Sequence, residues 1–188
     1  TALVYLLKHA DYDFGIAHCN FQLRGQESDQ DAVFVAQLAA ALDLTYHQVV
    51  FATKEEKQPG ESTQMTARRL RYAWFDSILQ AGNYDFLLTA HHLDDSLETV
   101  LVNFLRGTGL AGLQGIPLKA NYIRRPLLFT NRSALAEWVK TEGITYREDS
   151  SNQTDDYLRN RIRHQILPIL YALQPDLAKV LAGNFGKL

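Results

Sequence analysis

"YDFLLTAHHLDDSLETVLVNFL", residues 84–105, decides how this chain is read. "YDFLL" is a short apolar run suited to a buried strand. A helical apolar pattern through Val100, Leu101, Phe104 and Leu105 follows it. Between the two, His91 to Glu98 pack two histidines, two aspartates and a glutamate into eight consecutive positions. A solvated turn has no use for that much titratable chemistry. Three readings stand open: acids capping a helix at its positive end, a metal site, or a nucleotide pocket.

Working outward, apolar runs alternate with helical patterns. "TALVYLLKHA" carries a stripe of Leu3, Leu6 and Leu7 and reads as helix. "FGIAHCN" and "TYHQVVF" read as strands, with a helix from about Ser28 between them. Its face is Ala32, Val35, Leu38, Ala39 and Leu42, with Asp31 in its first turn. Another helix is expected over 63–80, then the "YDFLL" strand, then a helix from around Asp95. Runs that are apolar throughout, separated by helices, predict an α/β fold: a Rossmann-like parallel sheet with helices on both faces. Right-handed crossovers set the carboxyl ends of its strands on one ligand-binding edge. The first three visible strands are expected near 13–19, 45–51 and 84–89.

After Leu105 the texture changes. "RGTGLAGLQGIPL" holds four glycines and a proline and reads as a shaped loop, suited to a lid or to substrate binding. "NYIRRPLL" can supply an edge strand. "NRSALAEWVKTEG" is a helix capped by Asn131 or Ser133 and stopped at Gly143. A polar loop then becomes a helix interrupted near Pro168. The domain reading is a nucleotide-binding core over 1–130 and a helical continuation over 131–188, which completes the active site and begins a linker.

Composition narrows the function classes. The 188 residues are 46% hydrophobic with a net charge of −2, so the chain is no cationic glove and any polyanion must be met locally. A lone cysteine, Cys19, leaves no disulfide framework and no paired-thiol site. No apolar stretch reaches the ~18 residues of a membrane span, and a cytoplasmic setting with no membrane partner is expected.

Asp95 and Glu98 lie three apart at the start of the helix after a strand, where a pair of carboxylates can hold Mg2+. His91 or His92 can add a proton donor. Zinc is the rival, although the spacing is not that of a zinc-protease helix. Two basic segments favour phosphates. "TARRLRYAWF" places Arg68 and Arg71 one turn apart, and "RNRIRHQILP" points Arg159, Arg161 and Arg163 in different directions. "HCNFQLRG" follows a strand, so its backbone can meet an adenine and Arg24 can reach substrate. Both segments also have a plainer reading, as solvated helix faces and turns.

These motifs, taken with "RRPLL" and "REDSSN" and in this order, resemble the N-terminal catalytic domain of the tRNA(Ile)-lysidine synthetases. Those are ATP-pyrophosphatase-type enzymes with an adenine-nucleotide α-hydrolase-like fold. The resemblance implies a ligase that uses ATP and Mg2+ to adenylate C2 of the wobble cytidine of an isoleucine tRNA, after which the amino group of free lysine displaces AMP. It implies that His91, Asp95, Glu98, Arg71 and Arg163 belong to the active site, with Asp95 and Glu98 near the metal or the lysine. Ala17, His18, Cys19 and Asn20, with Arg71 and Arg163, would meet the nucleotide. Arg24, Arg106, Arg124 and Arg125 are the candidate tRNA contacts, and a homodimer is compatible with this reading. The family's SGGxDS phosphate loop does not precede "TALVYLL" here. The isolated chain is therefore expected to be truncated before its first helix and catalytically incomplete. The competing expectations are a related tRNA thiolase, for which Cys19 stands alone, and a nucleotide- or tRNA-binding module without catalysis.

Overall fold

The structure, a computed structural model, describes residues 1–82, 84–147 and 158–185. Contacts divide the chain into two compact units, Val4–Leu87 and Leu88–Leu188, the latter with Thr1–Leu3. The sequence reading sets its boundary at residue 130, and the division by contacts falls after Leu87.

The chain opens with helix α1 (Ala2–His9). In the first unit, β1 (Gly15–Asn20) and β2 (Thr45–Val50) pair in parallel, Gly15 opposite Thr45 and Asn20 opposite Val50. Helix α2 (Gln26–Ala41) connects them and buries Ser28, Ala32 and Ala39. Small residues on that face let the helix lie close to the strands it joins. Gly15 is needed where it stands, because a Cβ there would lie 2.6 Å from the Tyr84 hydroxyl and 3.1 Å from the Thr45 carbonyl oxygen. The Tyr84 hydroxyl is itself held 3.0 Å from His47 Nε2. Helix α3 (Thr63–Gly82) buries Thr66, Ala67 and Leu70, one turn of a single face. Arg69 pins the preceding loop to α3 through Glu61 at 2.8 Å and the Glu56 carbonyl at 2.8 Å.

In the second unit a three-stranded sheet has the order β3 (Leu87–Leu88), β5 (Ile123–Arg124), β4 (Lys119–Ala120). The strand expected at an edge is thus the middle one. Lys119 faces Arg124 and Ala120 faces Ile123 across an antiparallel hairpin with a two-residue loop. Asn121 supplies the positive φ of 50° that such a loop requires. The expected single parallel sheet is corrected accordingly: the described residues form one two-stranded parallel sheet and one small sheet containing an antiparallel hairpin.

Helix α4 (Leu93–Leu105) carries the acidic stretch. Its first two turns are submerged, with Leu93, Asp94, Ser96, Leu97 and Glu98 all buried, while Phe104 and Leu105 at its far end are exposed. Leu97 packs against Ile162 and Leu167 in a core that Leu101, Val102, Leu170 and Tyr171 enclose. Each such buried aliphatic side chain contributes roughly 1.5–3 kcal/mol. A short 3-10 helix (Leu110–Gln114) follows, tied back to α4 by Asn103 Nδ2 to the Gly112 carbonyl at 2.9 Å and by Ile116 N–H to Ser96 Oγ at 2.9 Å. The glycine-rich loop is anchored at its base.

Helix α5 (Arg132–Thr141) is capped by Asn131, whose side chain accepts from Ala134 N–H, and Gly143 with φ 63° follows its end. Beyond it, α6 (Leu158–Arg161) passes into a π-helical turn (Ile162–Ile166) and then α7 (Leu167–Leu173), and α8 (Leu177–Phe185) follows. Pro168 does not interrupt this helix. It lies in the first turn of α7, where its missing N–H costs little, and the wide turn before it closes with Leu167 N–H on the Ile162 carbonyl.

Candidate active site

The acidic stretch sorts into separate tasks once its partners are known. Asp94 is buried structure: one oxygen accepts from the Tyr171 hydroxyl and the other from Arg132 N–H at 2.8 Å. It ties the start of α4 to the start of α5 and to α7. Burial and the neighbouring Asp94 carboxylate push the Tyr171 pKa well above its ordinary value. His92 is the cap of α4. Its ring accepts from Asp95 N–H, and its backbone N–H donates to Asp95 Oδ2 at 2.9 Å. The cap of α4 is therefore His92, completed by one oxygen of Asp95, while Asp94, read as a possible cap, is engaged elsewhere.

The other Asp95 oxygen and all of Glu98 face two arginines. Glu98 is fully buried. Its oxygens accept from Arg159 Nε at 2.6 Å and from Arg163 Nε at 2.6 Å, with Arg163 also donating at 3.1 Å. Asp95 Oδ1 lies 3.2 Å from Arg159 and 3.4 Å from Arg163. Arg159 and Arg163 are four apart and share a side, while Arg161 between them is exposed. Two acids and two bases thus neutralise each other where isolated charges would be costly. Burial works against the charge on Arg163. Glu98, then Asp95 and Asp94, more than offset this and hold its pKa above the ordinary value.

This arrangement bears on Mg2+. A cation ligand must offer an oxygen not already committed to a positive donor. Each Glu98 oxygen meets a guanidinium, and Asp95 is shared between His92 and the same arginines. In this arrangement the carboxylates of Asp95 and Glu98, read from the sequence as Mg2+ ligands, are both engaged by arginines.

His91 stands apart from the cap. Its Nδ1 lies 2.8 Å from the Thr89 hydroxyl. Burial lowers its pKa, opposed by Asp95 and supported by Arg125, Arg159 and His92.

In the first unit, the carboxyl end of β1 leads into a pocket of about 90 Å3 lined by His18, Cys19, Asn20, Phe21, Leu23, Arg24, Ser28 and Asp31. Asn20 is buried and donates to Asp29 at 2.8 Å while accepting from Gln22 N–H at 2.9 Å. Arg24 pairs with Asp31 at 2.8 Å. The Arg71 guanidinium lies 5.0 Å from the Phe21 ring centre, and Arg68 lies over Tyr72 instead. Burial pushes the Cys19 thiol up to about 11, with Arg71 opposing it, so Cys19 is a poor thiolate. His18 Nε2 is buried without a hydrogen-bond partner among the described residues. Burial lowers the His18 pKa, Asp31 raises it and Arg24 lowers it further.

The PP-loop domain family matches residues 1–170. The chain belongs to the PP-loop family. It is 42% identical over 183 residues to the tRNA(Ile)-lysidine synthase of Porphyromonas gingivalis strain W83, covering 96% of this chain and 40% of that protein. It is 40% identical over 189 residues to the tRNA(Ile)-lysidine synthase of Bacteroides thetaiotaomicron (100% and 44%), and 37% identical over 172 residues to that of Chlorobaculum tepidum (88% and 52%). The chain thus spans about half or less of the length of these relatives. Among solved structures, a U34-tRNA thiolase NcsA from Methanococcus maripaludis with its [4Fe-4S] cluster superimposes with a TM-score of 0.77, over 99% of this chain and 66% of that one. At 15% identity it shows the fold alone.

The basic residues read from the sequence as tRNA contacts are placed differently from one another. Arg125 is 7% exposed, and its guanidinium donates to the Pro117 carbonyl at 2.6 Å, so it braces the loop below the hairpin. Arg124 folds onto its own hairpin, donating to the Asn121 and Ile123 carbonyls. Arg106 is exposed at the end of α4. Of "REDSSN", residues 148–152 lie outside the described residues. Sequence reasoning passed over Asp29 and Thr89 and gave Arg159 no role of its own. The four-residue spacing of Arg159 and Arg163 was the available signal for the last.

Proposed function

We propose that this PP-loop domain serves an ATP-dependent ligase that joins lysine to C2 of the wobble cytidine of an isoleucine tRNA. The observation that carries this reading is the paired carboxylates and paired arginines on one helix junction, in a chain 42% identical to a tRNA(Ile)-lysidine synthase. In the first step the cytidine C2 oxygen attacks the α-phosphorus of ATP and pyrophosphate leaves. In the second, the lysine amino group attacks C2 and AMP leaves. The first step piles charge on phosphate oxygens, and Arg163 and Arg159 are suited to meet it. Glu98, buried and doubly bonded to them, orients both. Asp95, held more loosely, is the carboxylate assigned to the incoming amine, where it can accept a proton. ATP remains the cofactor in this reading, while no Mg2+ is assigned to Glu98. The segment Ala17–Asn20 and Arg71 are assigned to the adenine side. The unsatisfied His18 nitrogen beside the pocket supports a polar ligand there.

The lysidine reading is favoured over the thiolase. A [4Fe-4S] cluster takes several thiolates, and this chain carries only Cys19. The test is carried out in the intact gene product, with AMP transfer to tRNA and lysine incorporation measured separately. Asp95→Asn should keep most adenylation and lose lysine attack, whereas Arg163→Ala should lose adenylation itself. Normal lysine incorporation in the Asn variant would remove Asp95 from the chemistry.

A further inference from the structure

Thr89 stands where β3 hands over to α4, two residues before His91. Its backbone N–H donates to the Arg124 carbonyl at 3.0 Å, so strand pairing holds it in place. Its hydroxyl lies 2.8 Å from His91 Nδ1, and two proton arrangements satisfy that distance. If Nδ1–H donates to the hydroxyl oxygen, the hydroxyl hydrogen is left to solvent, because the described residues supply no second acceptor. If the hydroxyl donates to Nδ1, both groups are satisfied and the ring's single proton sits on Nε2. Nε2 has no hydrogen-bond partner among the described residues and is not sealed from solvent. The charges bearing on the ring are those of Asp95, Arg125, Arg159 and His92.

We propose that Thr89 is a positioning residue that locks His91 as its Nε2–H tautomer, so that the ring offers a neutral hydrogen-bond donor, and not a base, to the oxygen that gains charge during adenylyl transfer. A neutral donor suits a junction where two acids and two arginines already balance. An added proton would upset that balance, and a bare nitrogen would repel a phosphate oxygen. The proposed tautomer rests on the local geometry, while its consequence for rate rests on the function proposed above.

The test is the 15N spectrum of histidine-labelled protein at about pH 7.5, with the His91 signals assigned by their loss in His91→Gln. The wild type should show a protonated Nε2 and an unprotonated, hydrogen-bonded Nδ1. Thr89→Val should lose the Nδ1 hydrogen-bond signature and lower kcat for adenylation by about tenfold, with the KM for ATP changed by less than about twofold. Thr89→Ser should restore both. A proton on Nδ1 in the wild type, an imidazolium, or a Val variant with unchanged spectrum and rate would overturn the inference. The wild-type spectrum needs no variant, so a Val protein that fails to fold leaves the proposal open to refutation. A wild-type protein that shows the expected tautomer but does not adenylate tRNA would sink the functional reading alone.

Discussion

Two junctions in this chain set opposite charges where a strand gives way to a helix, and they are built to different depths. After β1, the polar bonds are local: Asn20 meets Asp29 nine residues on, and Arg24 meets Asp31 seven residues on. After β3 the partners are distant, with Arg159 and Arg163 lying 61 to 68 positions from the carboxylates they grip. The local pair keeps its side chains 31% and 22% exposed, whereas Glu98 has none of its surface in water. Water screens the first pair, whereas the second is built on a carboxylate cut off from water, although Arg159 keeps 44% of its side chain exposed. The second junction should therefore matter far more to stability, although the residue types are the same.

The sharpest way to break this comparison is to remove one charge from the buried cluster. Glu98→Gln leaves two guanidiniums facing a neutral amide, and thermal and urea unfolding should show a loss of roughly 3–5 kcal/mol. A Gln variant that unfolds like the wild type would show that the junction is as well solvated as the local one. At the local junction, Arg24→Ala should cost about 1 kcal/mol or less by the same measurement. A larger loss would mean that the Arg24–Asp31 pair anchors the pocket.

The smallest effect should come from acid acting on the loop before α3. Hydrogen bonding from Arg69 holds the Glu61 carboxyl at about 2, against an ordinary 4.5; desolvation opposes it, and Gln58 N–H and Thr66 assist. A depressed carboxyl pKa adds stability that is complete above about 4.5 and is lost as pH falls toward about 2. Hydrogen exchange over residues 54–62 should accelerate across that window, and Glu61→Gln should abolish the pH dependence. Exchange that is equally pH-dependent in both proteins would assign the effect to another group.

The periodicities of the chain by themselves determined where its longer elements lie. The strands at Gly15–Asn20 and Thr45–Val50 and the helices over Thr63–Gly82 and Arg132–Thr141 fall where apolar spacing, caps and Gly143 put them. Those signals are carried by neighbours a few positions apart, so no distant part of the chain is needed to read them. Of the short hairpin at Lys119–Arg124 only the strand within "NYIRRPLL" was legible, because its two-residue partner Lys119–Ala120 leaves too little pattern. Only the tertiary structure decided the roles within "HHLDD". Successive side chains on a helix diverge by about 100°, so Asp94 turns into the core toward Tyr171 and Asp95 turns toward Arg159 and Arg163. The same holds for Arg124 and Arg125, adjacent in sequence, one half-buried on its own hairpin and the other buried under it. Residue type told which groups could carry charge. Which of them is buried, paired or left facing solvent depended on partners some 60 positions away, and no local spacing records those.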